Sequence, residues 1–454
     1  MIDEFAHITP AMWLEKEAEL LRSVHSLWDG VPLLNITDSR NLPNNRLVKF
    51  RGMIQDILNP EYYYEECKVY NTITKETVTK TMKFCDLLPY ERHEILYSNN
   101  PSNVVKERLT FIVTTIPGLN KWVRSVEQDI ALPVNSIVES SKTQKRPIED
   151  AEMDVGESSS GSPERKKART TEPQNPKLSS CPKQPLIIQN PQPNCCHVSV
   201  YKDADTLKML DLVEFVGFLS VSNTAEPSHG SDEPMDVQTD SPSPSLIIRI
   251  HCVTFKKIEH CNLLVYGSKL PADRFAYIKN TLHFALTQLM MGDTLAAEYL
   301  IYHFISKVYS RNEALGQFSL NISHIPLSVP EFAKCVYEFV ELLVPTSQYV
   351  AMTVENMNSL PFIPRKDYDT DRLVTGLLQV SNNTHLLLDE TKLEPGQFNE
   401  SGTEAMTALR IAIDFQKVAY NYYYYSVNFD CDIAFLILSE GKSLLPVCIF
   451  QTVK

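Results

Sequence analysis

His385-Leu386-Leu387-Leu388-Asp389-Glu390 is the stretch on which the architecture turns. An apolar run of this kind suits a strand buried on both faces, and two carboxylates close it. Ile433-Ala434-Phe435-Leu436-Ile437-Leu438 is a second such run. Upstream, Arg274 to Tyr309 is strongly helical. Ala297, Leu300, Ile301, Phe304, Ile305 and Val308 fall at i, i+3, i+4, i+7, i+8 and i+11, one stripe of a helix. Asp293 precedes that stripe and can cap it. Helices alternating with buried strands predict an α/β domain with a mostly parallel sheet over 254–454.

The N-terminal half reads differently. Met12 to Trp28 has helical spacing. Leu47 to Asp56 is a strand with a glycine bend at Gly52, and Arg108 to Gly118 is a strand ended by Pro-Gly. His197–Lys202, Leu212–Val221 and Leu246–Val253 continue the β pattern. Short strands with glycine bends fit a small OB-type barrel, which often binds single strands through exposed aromatic and basic residues. Lys49 and Arg51 could serve so, although a solvated strand face is the commoner use of such residues. The run 136–195 is rich in Ser, Pro, Lys, Glu and Gln and cannot bury enough surface to offset its ordering entropy. The stretch 223–245 reads as a long acidic loop. The expected fold class is thus multidomain α+β and α/β. It comprises a helical and OB-like block (1–135), a disordered linker (136–195), a β-rich segment (196–253) and the α/β domain.

Bulk properties bound the function. The 454 residues carry a formal charge of −13, which repels a duplex as a whole and favours protein partners over strong autonomous DNA binding. No stretch approaches the roughly 20 apolar residues of a membrane span, and the acidic start lacks a signal-peptide core. The ten cysteines form no regular framework, which suits a reducing compartment. Cys181, Cys195, Cys196 and His197 have irregular spacing for zinc, so no metal is expected. No Ser-His-Asp or Cys-His nucleophile arrangement stands out.

Two stretches echo nucleotide chemistry. Asp389-Glu390 ends its strand as an acid pair that holds magnesium and activates water would. Leu289 to Leu300 contains Gly292-Asp293-Thr294-Leu295-Ala296-Ala297-Glu298-Tyr299. A working phosphate loop needs glycines for close backbone approach, a lysine for the phosphates and a Ser or Thr hydroxyl for magnesium. Gly441-Lys442-Ser443 spells the end of such a loop, but Leu436 stands where its first glycine belongs.

These residues resemble the AAA+ core of mini-chromosome maintenance (MCM) helicase subunits. Laid over that family's loop, Gly292 and Asp293 match, Glu298 falls on the phosphate-binding Lys and Tyr299 on the magnesium-binding Ser. Asp389 and Glu390 match the Asp-Glu pair, and Ser439 falls near the sensor asparagine. A longer resemblance covers nearly the whole chain. Leu47 to Tyr63, Gly292 to Ile301, Met352 to Gln379, Leu388 to Gln397 and Ser439 to Pro446 are similar to shared strings of the MCM-binding protein family. Members continue past Pro446 into a C-terminal helical region, so this chain is expected to be either a truncated product or a divergent short form.

The resemblance implies a nuclear regulator of DNA replication. It would bind MCM subunits, act in remodelling or removing the MCM complex from chromatin, and support sister-chromatid cohesion. The α/β domain would be a degenerate MCM-like ATPase core with no cofactor. Glu298 fits that expectation physically. A unit pair at about 4 Å and an effective dielectric near 20 is worth roughly 4 kcal/mol, so replacing lysine by glutamate turns attraction into repulsion of a triphosphate. Glu298 also has an ordinary use, as an acid in the first turn of its helix. Asp389 and Glu390 have one too, ending a strand and capping the next turn. The basic clusters Lys145-Arg146 and Arg165-Lys166-Lys167-Ala168-Arg169 read from residues alone equally as solvated charge or as a bipartite nuclear import signal; the resemblance favours import. Two further functions stay open to test, an active ATP-dependent remodeller and a single-strand-binding replication factor.

Overall fold

The computed structural model describes residues 5, 7–36, 42–89, 91, 93–97, 100–127, 195–220, 248–261, 271–312, 314–325, 329, 331–369, 371–446 and 449–452. The acidic loop 223–245 and the basic clusters of the linker lie outside them. The architecture is mixed α and β.

Helices α1 (Pro10–Glu15) and α2 (Glu17–Ser26) replace the single helix expected over Met12–Trp28. Pro10 opens α1 with its φ pre-set and Thr9 accepts from the Met12 N–H. The chain turns at Lys16, so that Trp13 packs edge-on against Phe218 at 6.0 Å between ring centroids. Among the described residues eight strands follow: β1 (Leu47–Ile57), β2 (Glu61–Asn71), β3 (Thr77–Lys80), β4 (Glu94–Leu96), β5 (Val104–Thr114), β6 (Cys195–Val200), β7 (Leu212–Ser220) and β8 (Ile248–Lys257). The order β1-β7-β8-β6-β5 closes on itself through a β1–β5 pairing, giving a five-stranded barrel in which only β6 and β8 run parallel. β2 extends from β5 and carries β3 and β4. Gly52 is required by close approach: a Cβ there would meet the Thr114 carbonyl oxygen at 2.5 Å.

This barrel corrects the expected division of the chain. β1 and β5 come from the 1–135 block and β6, β7 and β8 from the later segment, yet they share one core of Val48, Phe50, Phe111, Val198, Phe215 and Ile250. β8 also runs past residue 253 to Lys257. Closure pairs strand edges that either block alone would leave open.

After β5 the chain enters a short helix, α3 (121–127), then after the barrel come α4 (Ala272–Leu289), α5 (Thr294–Ile305), β9 (Leu320–Ser323), α6 (Phe332–Leu343), β10 (Ser347–Ala351), α7 (Val354–Ser359), β11 (Arg365–Asp367), β12 (Arg372–Val374), β13 (Thr384–Asp389), α8 (Glu400–Phe415), β14 (Lys417–Asn421), β15 (Ser426–Asp430), β16 (Ile433–Leu438) and β17 (Ile449–Thr452). Five of these strands form a wholly parallel sheet in the order β10-β13-β16-β9-β17. Its faces follow the period of two. Leu386, Leu388, Phe435 and Ile437 pack with α7 and α8, whereas Leu387, Leu436 and Leu438 pack with α4, α5 and α6. β12-β11-β14-β15 form a separate small sheet.

The apolar stripe read from sequence ends early. Ala297, Leu300 and Ile301 are buried, but α5 stops at Ile305, which is exposed, and Val308 lies beyond it. Ser306 ends the helix, its hydroxyl donating to the His303 carbonyl and to Gln317.

The barrel and the α/β unit are joined by polar contacts. Asn120 Nδ2 donates to the Val344 carbonyl at 2.7 Å and Ser347 Oγ donates to Asn120 Oδ1 at 2.9 Å. On the other side, the Leu373 N–H donates to Asp56 on β1 at 3.0 Å, and Gln379 donates to the Gln55 carbonyl at 2.9 Å.

Candidate functional site

In an α/β sheet of this kind ligands bind beyond the carboxyl ends of the strands. Asp389 and Glu390 lie there. Asp389 is fully buried at the end of β13, and both its oxygens are occupied. Oδ1 accepts from the Thr391 N–H at 3.0 Å and from the Thr391 hydroxyl at 2.6 Å. Oδ2 accepts from the Tyr349 hydroxyl at 2.5 Å. Burial, followed by the carboxylate it serves, pushes the Tyr349 phenol up, so it stays a donor at neutral pH. Glu390 is also withdrawn: Ser443 Oγ donates to its Oε1 at 2.8 Å. Burial pushes the Glu390 carboxyl up, against the hydrogen bonds from Ser443 and from the backbone of Leu444 and Leu445. Both acids are thus engaged by protein donors, although a carboxylate has room for about four such partners and Asp389 still lines the neighbouring cleft.

Beside Asp389 is a cleft of ≈ 150 Å³ lined by Ile325, Val329, Glu331, Phe332, Ala333, Lys334, Tyr349, Asp389, Thr391 and Lys392. It sits where β9 leads into α6, the position at which a phosphate loop joins a strand to a helix N-terminus. The connecting residues read His324-Ile325-Pro326-Leu327-Ser328-Val329-Pro330-Glu331. There is no glycine among them, and each of the two prolines removes an N–H that could meet a phosphate oxygen. Glu331, at the N-cap of α6, adds a carboxylate, and Lys334 lies 3.5 Å from it.

Gly292, Asp293, Glu298 and Tyr299 are not at this cleft, which corrects the correspondence expected from sequence. They follow a helix rather than a strand, in the α4–α5 turn and along α5. Gly292 ends α4 with φ +97°, its N–H donating to the Thr287 carbonyl at 2.8 Å. Asp293 caps α5, accepting from Leu295 and Ala296 at 3.0 Å each. Glu298 is past the first turn of α5, so the macrodipole reading does not apply; it accepts from the Tyr302 hydroxyl at 2.6 Å instead. Tyr299 packs against Phe318. The spacing matched because a helix–helix turn also needs a glycine and a capping acid.

Lys49 and Arg51 overturn both of their expected roles. They are buried, neither a solvated face nor a nucleic-acid contact. Arg51 donates through Nη1 to Glu127 at 2.9 Å and through Nε to Glu214 at 2.8 Å, and Nη2 also pairs with Glu214. Lys49 donates to the Trp28 carbonyl at 3.1 Å and lies 3.6 Å from Asp29. Ser439, just past β16, donates to Asn321 at 3.1 Å. Gly441 and Lys442 are exposed, and Ser443 is committed to Glu390. Cys195, Cys196 and His197 are consecutive buried residues of β6, while Cys181 and the basic residues Lys145, Arg146, Arg165, Lys166, Lys167 and Arg169 lie outside the described residues. Tyr349 and Ser443, which close the acid pair, carried no sequence signal: each is far from Asp389 and Glu390 in the chain.

Comparison with known proteins places this arrangement in a family. A family profile described as "Mini-chromosome maintenance replisome factor" matches residues 18–451. The Drosophila melanogaster mini-chromosome maintenance complex-binding protein is 35% identical over 448 residues, covering 93% of this chain and 74% of the relative. The Danio rerio protein of the same name is 35% identical over 96% of this chain and 76% of its own length. The Homo sapiens one is 35% identical over 92% and 73%. With similarity running through both the barrel and the parallel sheet, the chain belongs to the mini-chromosome maintenance complex-binding protein family.

Proposed function

We propose that this protein is a non-enzymatic replication factor that binds MCM helicase subunits through a domain of ATPase shape that has lost nucleotide chemistry. The observation that carries the reading is the closure of Asp389 by Tyr349 and Thr391 beside a strand-to-helix loop without glycines. The parallel sheet, with an Asp-Glu pair ending β13, supports a degenerate AAA+-like core. The closed five-stranded barrel supports an OB-type module. Burial of Lys49 and Arg51 argues against that module binding single strands through them. Remodelling or removal of the MCM complex from chromatin, a role in sister-chromatid cohesion, nuclear residence and an indirect link to chromatin complete the proposal. They rest on the family resemblance.

The test is capture of individually expressed MCM subunits by the immobilised full chain, alongside equilibrium binding of labelled ATP. At least one subunit is retained and ATP is not bound. Failure to retain any subunit would sink the proposal. Saturable ATP binding weakened by Asp389→Asn would restore the active remodeller.

A further inference from the structure

The β14–β15 hairpin turns through four consecutive tyrosines, Tyr422 to Tyr425. Tyr423 and Tyr424 are 79% and 81% exposed. They are nevertheless held in place. Tyr420, fully buried at the base of the hairpin, packs on Phe429 at 4.4 Å. Tyr422 and Tyr425 stack at 5.1 Å, and Tyr423 meets Tyr424 edge-on at 5.1 Å. The neighbouring β11–β12 hairpin contributes Tyr368, whose ring packs against Tyr424 at 5.9 Å and whose hydroxyl donates to the Tyr422 carbonyl at 2.8 Å. Tyr420 and Tyr422 anchor the hairpin in the core shared with the parallel sheet, whereas Tyr423 and Tyr424 belong to none of the buried clusters and leave their rings to solvent. Rigid tyrosines offer large contact area at little entropic cost, and they recur at interface hot spots.

Charge selects the partner. The second hairpin places Asp367, Asp369 and Asp371 around Tyr368. The cations on the same strands are committed nearby: Lys366 bonds Asp371 at 2.8 Å, Arg365 bonds Glu404, and Arg372 stands opposite Asp367 in the ladder. Asp369 faces solvent. Phenol faces and the solvent-facing carboxylate of Asp369 both attract cations, and that carboxylate repels phosphate. We infer that the paired hairpin tips are a docking surface for an arginine-bearing basic segment of a partner protein. Guanidinium groups would stack on Tyr423 and Tyr424 and pair with Asp369. The inference goes beyond the MCM-contact reading and stands without it.

The test is fluorescence anisotropy of labelled octa-arginine, octa-lysine and oligo-dT with the full chain. Octa-arginine is expected to bind more tightly than octa-lysine, and oligo-dT not to bind. Tyr423→Ser/Tyr424→Ser, which keeps the net charge, weakens octa-arginine by about tenfold. Asp369→Asn weakens it severalfold. Tyr424→Lys, a single change at an exposed site, weakens it by repulsion and serves if the double variant misfolds. Octa-arginine binding equal to wild type in the folded tyrosine variants would mean bulk charge alone and overturns the proposal. Tighter binding of oligo-dT than of octa-arginine overturns it in favour of a nucleic-acid surface.

Discussion

Asp389 shows how one residue of a motif can be tied into the surrounding protein. Its Oδ1 accepts twice from Thr391 and its Oδ2 accepts from Tyr349. Removing one partner strands a buried acceptor, which costs about 1–3 kcal/mol. Tyr349→Phe is therefore expected to lower the urea midpoint by that equivalent, and Asp389→Asn to do the same, with no change in ATP binding from either. An ATP effect without a stability effect would contradict this account. Arg51 is the second such case. It lies between the buried carboxylates of Glu127 and Glu214 and joins β1, β7 and α3. Arg51→Met leaves Glu127 without its ion-pair partner and Glu214 with only the Trp28 indole N–H and nearby Lys49, an expected loss of about 3–5 kcal/mol in chemical denaturation. A loss below that for a surface pair would show that water reaches the cluster.

At the scale of elements, the α4–α5 turn explains why a phosphate-loop pattern misled. Gly-Asp at the start of a helix serves either chemistry, and only what precedes it decides. Here α4 precedes it, so Gly292 sits at φ +97° to end one helix and Asp293 starts the next. Gly292→Ala is expected to cost about 1 kcal/mol, read as a lowered Tm, and to leave partner binding intact. A side chain would fit sterically there, since no atom lies within 4 Å of the place its Cβ would take; the cost is backbone conformation alone. The buried strands β13 and β16 were legible because uninterrupted apolar runs have few other uses. The hairpins β11–β12 and β14–β15 were not, because their strands are short and pair with each other rather than with the main sheet, although Leu373, Val418 and Tyr420 share its core.

At the scale of the molecule, the barrel and the parallel sheet bury histidines. Burial, then the nearby Arg249 and Arg372, depresses His197 to about 4. Burial also depresses His303 and His385, whose rings lie side by side in the α/β unit. A histidine whose folded pKa lies below its unfolded value takes up its proton first in the unfolded chain. The native state is thus at full advantage above pH 6.5 and loses it as pH falls towards 4. By pH 5 each such histidine costs about 1–2 kcal/mol. Urea unfolding at pH 7 and pH 5 should show the drop, and His197→Phe or His385→Phe should flatten it. An unchanged slope in both variants would assign the acid sensitivity to carboxylates instead.

What the sequence determined by itself was local: apolar runs that must be buried strands, a glycine inside a strand, a capping acid at a helix start, polar stretches unsuited to a core, and strings long enough to carry family resemblance. Period, propensity and composition act over a few residues, so they can be read in one dimension. What only the tertiary structure decided was every pairing across distance. It closed β1 and β5 with β6, β7 and β8 into one barrel, buried Lys49 and Arg51, put the β9–α6 loop rather than Gly292 beside Asp389, and set Tyr349 and Ser443 against the acid pair. These depend on which surfaces meet when the chain collapses, and a burial or hydrogen bond between residues tens or hundreds of positions apart leaves no mark on either neighbourhood.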